Sequence, residues 1–261
     1  MSALIFNTFL FFIYGLVIGS FLNVLIHRLP RGESIIKPGS HCPNCGAPIP
    51  FYDNIPLLSY LILGGRCRNC KSIIPYQYPL VEGLSGAFFV VFYLKSGLSL
   101  LFFTEIVFSA LIIVLIFTDL NHQLLPDVIT IPGIAAGILF SIGGQLTNIR
   151  DSLIGAALGA GVVFAIREVY FRLRRVEGMG LGDVKLMAMV GAFLGWEKAI
   201  LTLILGSFLG TVVGIILIVK EKKDLSLPLP FGSFLSIASL FSLFHGERVI
   251  SFYLSLFKPL P

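Results

Sequence analysis

A chain of 261 residues with 56% hydrophobic and only 13% charged side chains has roughly half the charge of an average soluble domain, for which about 25% is usual. Too few polar side chains remain to cover an aqueous surface, which excludes a soluble globular fold and makes lipid the solvent for most of the chain. The net charge of +5 does not point to nucleic acid, because no basic stripe with interleaved aromatics occurs; in a multi-span protein, excess Lys and Arg mark the cytoplasmic loops.

Crossing a bilayer takes about 20 mainly apolar residues, and candidate spans fall at 3–26, 79–97, 99–118, 129–146, 152–171, 184–197, 199–219 and 230–244. The first run starts almost at Met1 with no basic segment ahead of it, and reads as a retained span rather than a cleavable signal. The sixth is short, and a further apolar stretch, Val249 to Phe257, follows the eighth. The expected fold is therefore all-α and polytopic, with about eight transmembrane helices, seven or nine being the neighbouring counts. Neither low-complexity sequence nor an internal repeat interrupts it.

The cations set the orientation. With the N-terminus outside, the inner segments hold Arg28, Arg31, Lys37, Arg66, Arg68, Lys71, Arg167, Arg172, Arg174, Arg175, Lys185, Lys220, Lys222 and Lys223. The outer side keeps Lys95, Arg150, Lys198, Arg248 and Lys258, so 14 of the 19 Lys and Arg lie inside. Residues 27–78 carry all four cysteines and seven of the fourteen prolines. They read as a small cytoplasmic domain between a first span (1–26) and a multi-span membrane domain (79–261).

Within that segment Cys42-Pro-Asn-Cys45-Gly is followed, 21 residues on, by Cys67-Arg-Asn-Cys70-Lys. Two intervening residues let both thiolates of a pair face one ion, and two such knuckles make a four-sulfur tetrahedral site, the usual structural zinc arrangement. Disulfides are the competing reading, but a cytosolic placement disfavours them. A domain of about fifty residues has too small a core to be comfortable alone, so a Zn2+ staple at Cys42, Cys45, Cys67 and Cys70 is apt.

Two acidic positions stand out. Asp119 closes the apolar run Leu100 to Thr118 and opens Asp119-Leu-Asn-His-Gln-Leu-Leu-Pro126-Asp127. Taken alone it reads as an ordinary acidic helix end at the interface. Asp183 lies in Gly178-Met-Gly180-Leu-Gly182-Asp183-Val-Lys185, ahead of another apolar run. Its three alternate glycines disfavour regular helix and permit close backbone approach, and a helix N-terminus there favours negative charge; a plain helix cap after a flexible loop is the competing reading. Both aspartates fall at cytoplasmic ends of spans, and ionisable groups at membrane depth are costly and usually functional. Two carboxyls brought close do not both ionise easily: one keeps a proton while the other activates water. A zinc closed by four thiolates offers no rival chemistry.

With these residues the chain resembles the bacterial prepilin peptidases, or type IV leader peptidases, of the Gly-x-Gly-Asp aspartic protease class. Gly19-Ser-Phe-Leu-Asn23-Val with Arg28-Leu-Pro30 is similar to the family's opening motif, and the cysteine knuckles to its cysteine-bearing branch. Asp119 with Pro126-Asp127 is similar to its first catalytic motif, Gly180-Leu-Gly182-Asp183-Val-Lys185 to its second, and Leu229-Pro-Phe-Gly232 to a late element. The resemblance implies a bacterial inner-membrane endopeptidase with Asp119 and Asp183 catalytic. Gly180, Gly182 and Lys185 would form the active-site loop, with Asp127 beside it. It implies removal of the basic leader of type IV prepilins and type II secretion pseudopilins. Methylation of the new terminal amine by S-adenosylmethionine would follow, although no soluble methyltransferase glycine fingerprint marks a donor site. Two other readings keep some of these residues: a presenilin-like protease of other membrane substrates, and a cation-coupled transporter with a structural zinc domain, since broken glycine-rich helices suit transporters too.

Overall fold

The computed structural model describes residues 2–176, 178–221 and 229–257. Lys222, Lys223 and Lys258 of the charge distribution lie outside the described residues. Among those described, structure is almost wholly helical: α1 (Ser2–Arg28), α2 (Leu58–Ile62), α3 (Gln77–Ser96), α4 (Leu100–His122), α5 (Asp127–Ser141), α6 (Ile149–Arg174), α7 (Leu181–Leu194), α8 (Trp196–Glu221) and α9 (Phe231–Ser255). Helix is what an apolar chain must adopt in lipid, because every backbone N–H and C=O is then satisfied within the segment. A helix stands at each of the eight expected spans, from 14 to 27 residues long. Four, Leu4–Arg31, Leu100–His122, Ile149–Arg174 and Trp196–Lys220, are long and apolar enough to cross a membrane. The stretch from Val249 is no separate element; α9 runs through His245, Glu247 and Arg248 to Ser255.

The chain divides into two compact units, 1–114 and 115–261, the boundary falling inside α4. In the first unit α1 packs along α3. A Cβ on Gly15 would sit 2.6 Å from the Cα of Gly86, and one on Gly19 2.6 Å from the Cα of Glu82, so the helices meet backbone to backbone, the close packing that small residues allow where lipid supplies no hydrophobic drive. Phe11 stacks on Tyr93 at 4.2 Å between centroids. Buried Arg28 pins the chain after α1, donating to the carbonyls of Ser34, Pro38 and Gly39.

In the second unit α7 is the axis. It is only 14 residues long, about 21 Å at 1.5 Å per residue, and every residue from Leu186 to Leu194 is buried. A helix apolar all round belongs inside, and α5, α6, α8 and α9 all contact it. The approach of α6 is the closest, since a Cβ on Gly191 would lie 2.1 Å from Gly155 O and one on Gly155 2.5 Å from Gly191 O. The Ser152 hydroxyl donates to Ala192 O across the same seam at 2.7 Å. Large apolar side chains on the outer faces stay uncovered, Phe208 at 64% and Val219 at 73% on α8, as lipid contact requires.

This seam predicts opposite outcomes on one helix. Gly155→Val drives its side chain into the α7 backbone and lowers stability by about 1–3 kcal/mol or more. Gly161→Ala, where a Cβ meets nothing within 4 Å, is neutral or stabilising by up to about 1 kcal/mol. Thermal unfolding in one detergent compares them.

Candidate active site

Asp119 sits in the last full turn of α4, 5% exposed. The helix runs on to His122 and ends where Gln123 turns left-handed (φ 50°). Leu124 to Pro126 then lead into α5. The Asp119 Oδ2 atom accepts the backbone N–H of Ser233 at 2.6 Å and its hydroxyl at 2.8 Å. Ser233 is the third residue of α9, so the carboxyl meets the unsatisfied N–H groups and positive end of that helix. The same Ser233 hydroxyl lies 3.1 Å from Ile116 O. One hydroxyl proton serves one acceptor at a time; when it goes to Ile116, a proton on Asp119 completes the 2.8 Å contact. The site therefore accommodates Asp119 in either protonation state.

Asp183 is the third residue of α7, 8% exposed, its Oδ2 accepting the N–H of Gly180 at the helix cap, 3.2 Å away. Asp119 and Asp183 lie within electrostatic range of each other, and neither forms an ion pair with any described residue. Leu125 joins the two segments. A Cβ on Gly182 would sit 3.0 Å from the Leu125 Cβ, and one on Gly232 2.8 Å from Leu125 Cδ1 and 3.2 Å from Asp119 Cγ. The buried leucine is thus seated between the glycine preceding Asp183 and the glycine preceding Ser233.

The alternate glycines do different jobs. Gly182 is within α7 rather than in a loop, and gives way to Leu125. Gly178 lies against the ring of Tyr170, where a Cβ would come within 2.6 Å. Gly180 is the helix cap in ordinary extended conformation (φ −77°), with nothing nearer than 3.7 Å to a Cβ. Arg167 on α6 holds this stretch by donating to Met179 O at 3.2 Å. Lys185 forks onto both oxygens of Asp127 at 2.7 Å, tying the start of α5 to α7. Asp127 is exposed and ion-paired where Asp119 is buried and cation-free. Ser233, Leu125, Tyr170 and Arg167 escaped the sequence reading. Ser233 carried a faint signal, a polar residue just inside a helix that follows Pro230, but its partner lies 114 positions earlier.

In the first unit the four cysteine sulfurs all lie within 4.8 Å of one another. The Cys42 and Cys70 sulfurs are 3.8 Å apart, which matches the spacing of about 3.8 Å that tetrahedral Zn–S bonds of about 2.3 Å impose. The knuckles are the same turn made twice. Gly46 N–H bonds Cys42 O and Lys71 N–H bonds Cys67 O, while Cys42 N–H bonds Ala47 O and Cys67 N–H bonds Ser72 O. The residue after the second cysteine is left-handed in both, Gly46 at φ 70° and Lys71 at φ 61°. Asn44 and Asn69 donate amides across the pair to the Cys70 and Cys45 sulfurs, each at 3.7 Å. Hydrogen bonds from Ser72 bring the pKa of the Cys70 thiol down to about 5, and the Cys45 N–H lowers that of Cys42, thiolate character suited to a metal ligand; against the Ala47 N–H, burial and the neighbouring Cys70 and Cys42 sulfurs raise that of Cys45.

The chain thus combines two buried carboxyls at helix ends, neither ion-paired with a described residue, with apolar helices of span length and four thiols placed as a metal site requires. The chain belongs to the type IV leader peptidase family. The description "Bacterial Peptidase A24 N-terminal domain" matches residues 13–96 and "Type IV leader peptidase family" residues 106–215. The prepilin leader peptidase/N-methyltransferase of Aeromonas salmonicida is 38% identical, over 94% of this chain and 93% of the relative. That of Pseudomonas aeruginosa is 36% identical over 92% and 91%, and that of Myxococcus xanthus 41% identical over 84% of this chain and 65% of the relative. No solved structure matches.

The glycine geometry gives a direct test. Gly182→Val displaces Leu125 and costs about 1–3 kcal/mol, whereas Gly180→Ala, a helix-cap change with room for the new Cβ, costs about 0.5–1 kcal/mol. Equal melting-temperature losses would contradict this division of labour.

Proposed function

We propose that the chain is an aspartic endopeptidase of the bacterial inner membrane that removes the basic leader of type IV prepilins and pseudopilins at the cytoplasmic face, and then N-methylates the new terminal residue. The observation that carries this reading is the pair of buried carboxyls, Asp119 and Asp183, neither paired with a cation among the described residues. Two such groups share one proton. The ionised member takes a proton from water as the oxygen attacks the scissile carbonyl, and the protonated member donates to the carbonyl oxygen; on collapse of the tetrahedral intermediate the first member passes its proton to the leaving nitrogen and the second takes one back from a hydroxyl, releasing the leader's new carboxyl and the pilin's amine. Neither a metal nor a side-chain nucleophile is required. The Lys185–Asp127 ion pair and the Leu125 seat position the aspartate-bearing helices, and Gly180 and Gly182 shape the start of α7.

The placement of 14 of 19 Lys and Arg supports an external N-terminus, eight spans and a cytoplasmic zinc domain over 27–78, between a first span at 1–26 and the membrane peptidase over 79–261. A pilin's apolar helix would then stay in the bilayer while its basic leader reaches the cytoplasmic surface. The thiol spacing and amide donors fit a closed structural Zn2+ at Cys42, Cys45, Cys67 and Cys70. Methyl transfer is supported by the activity for which the relatives are named and by the cysteines; S-adenosylmethionine supplies an electrophilic methyl group when bound.

Asp119→Asn and Asp183→Asn should each leave a folded protein whose cleavage of a prepilin, read by mass, falls to the detection limit, and the double variant should be no worse, because the pair acts as a unit. Substantial hydrolysis by either single variant sinks the assignment. Elemental analysis of protein purified without chelator should find one zinc per chain, with Cys42→Ser and Cys67→Ser lowering metal content and loosening residues 27–78 to proteolysis.

A further inference from the structure

The first unit forms an open cavity of about 1030 Å³, at the upper limit of the roughly 300–1,000 Å³ typical of small-molecule sites. One wall is a face of α1, with Ser20, Asn23 and His27 at successive turns; another is the start of α3; the cysteine-bearing segment closes the rest. Its lining is mainly apolar, with Phe21 and Tyr60 offering rings against which a planar heterocycle can lie. The peptidase chemistry uses none of these groups.

Two polar groups of this cavity lack a full set of partners. Glu82 lines it, is 8% exposed, and accepts the Leu57 N–H at 2.8 Å and the Ser20 hydroxyl, donors that carry no charge. No described cation pairs with it. The arginines that also line the cavity are committed elsewhere: Arg68 forks onto Asp53 at 2.7 Å, and Arg28 turns its guanidinium to three backbone carbonyls. A carboxylate buried without a counter-ion is costly, and one that borders a ligand-sized space is suited to a cationic ligand. Asn23, 3% exposed, donates to Tyr78 O at 3.0 Å while its Oδ1 has no partner. A buried acceptor of that kind calls for a donor.

We infer that this cavity is the S-adenosylmethionine site, with the sulfonium against the Glu82 carboxylate and an adenosine N–H or O–H donor on Asn23. The inference rests on the methyl-transfer half of the proposed function and gives that half its residues. S-adenosylmethionine combines the features the cavity lacks partners for: a fixed positive charge, amine and hydroxyl donors, and a flat base. The amine that accepts the methyl group also carries charge when protonated, but brings neither base nor hydroxyls. Because the demethylated product, S-adenosylhomocysteine, has a neutral thioether, a Glu82–sulfonium contact also makes the site prefer donor to product.

Calorimetry on the full-length protein in detergent, titrated with each nucleoside, tests this. The wild type should bind S-adenosylmethionine more tightly than S-adenosylhomocysteine. Glu82→Gln retains an acceptor for the Leu57 N–H; it should weaken the sulfonium ligand by about tenfold and the thioether by less than about threefold, as loss of one charge-assisted contact would. Asn23→Leu should weaken both by about fivefold or more. Zinc content and melting temperature report folding. Independently of any variant, ultraviolet cross-linking of methyl-labelled donor to the wild type should label peptides from 17–28 or 40–82. If folded variants bind the donor as the wild type does, or label falls within 115–261, the cavity is not the site while the methyl-transfer reading stands. Equal weakening of both nucleosides by Glu82→Gln overturns the sulfonium placement. A wild type that binds neither nucleoside overturns the methyl-transfer reading and this inference together.

Discussion

The backbone contact between α6 and α7 at Gly155 and Gly191 is the constraint on which the second unit depends. In lipid, helices gain little from burying apolar side chains that the tails would have solvated equally well, so cohesion comes from close van der Waals approach and from hydrogen bonds across the seam. Missing side chains on both helices let the carbonyl oxygen of each glycine approach the Cα side of the other, and the Ser152 bond to Ala192 O locks the register. Once α7 is surrounded, its first turn is fixed in depth and rotation. That turn carries Gly182, Asp183 and Lys185; Gly182 meets Leu125 and Lys185 meets Asp127, both from elsewhere in the unit, and Asp183 is buried between them.

The polar groups of this unit sort by what they have been given. Lys185 and Asp127, at an exposed edge, neutralise each other in a bidentate pair. Asp119 and Asp183 are buried and receive only N–H and O–H donors. Hydrogen-bond donors orient a carboxyl without settling its charge, whereas a cation would hold it ionised. Proton traffic at a site needs the first arrangement. The ion pair beside it supplies rigidity instead, holding the start of α5 against α7 so that the loop carrying Leu125 has a defined path.

The first unit solves a different problem. Its cysteine segment contains little regular structure beyond α2, and its order comes from two repeats of one turn. Each turn needs a left-handed residue after its second cysteine. Glycine takes that position without strain in one knuckle; Lys71 takes it in the other, a conformation that costs a side-chain-bearing residue something and persists where surrounding structure over-determines it. The metal that fits these four sulfurs would supply that determination, as cores this small seldom do.

Much of this was legible in the sequence because it is local. Apolar runs of span length, Cys-x-x-Cys pairs and the glycines before Asp183 are patterns within a few residues, and they marked eight helices, four thiols that the fold gathers, and two aspartates that it buries. The break expected between the eighth span and Val249 was not real, because polar side chains at His245, Glu247 and Arg248 do not by themselves end a helix. Tertiary structure decided whatever depends on partners distant in sequence: that Ser233 holds Asp119 from 114 residues away, that Asp127 belongs to Lys185, and that Gly182 and Gly232 exist to seat Leu125. It also left Glu82 facing a cavity without a cation. Residue type and spacing determine which chemistry a chain can carry; only packing decides which of its charges are neutralised and which remain for a substrate.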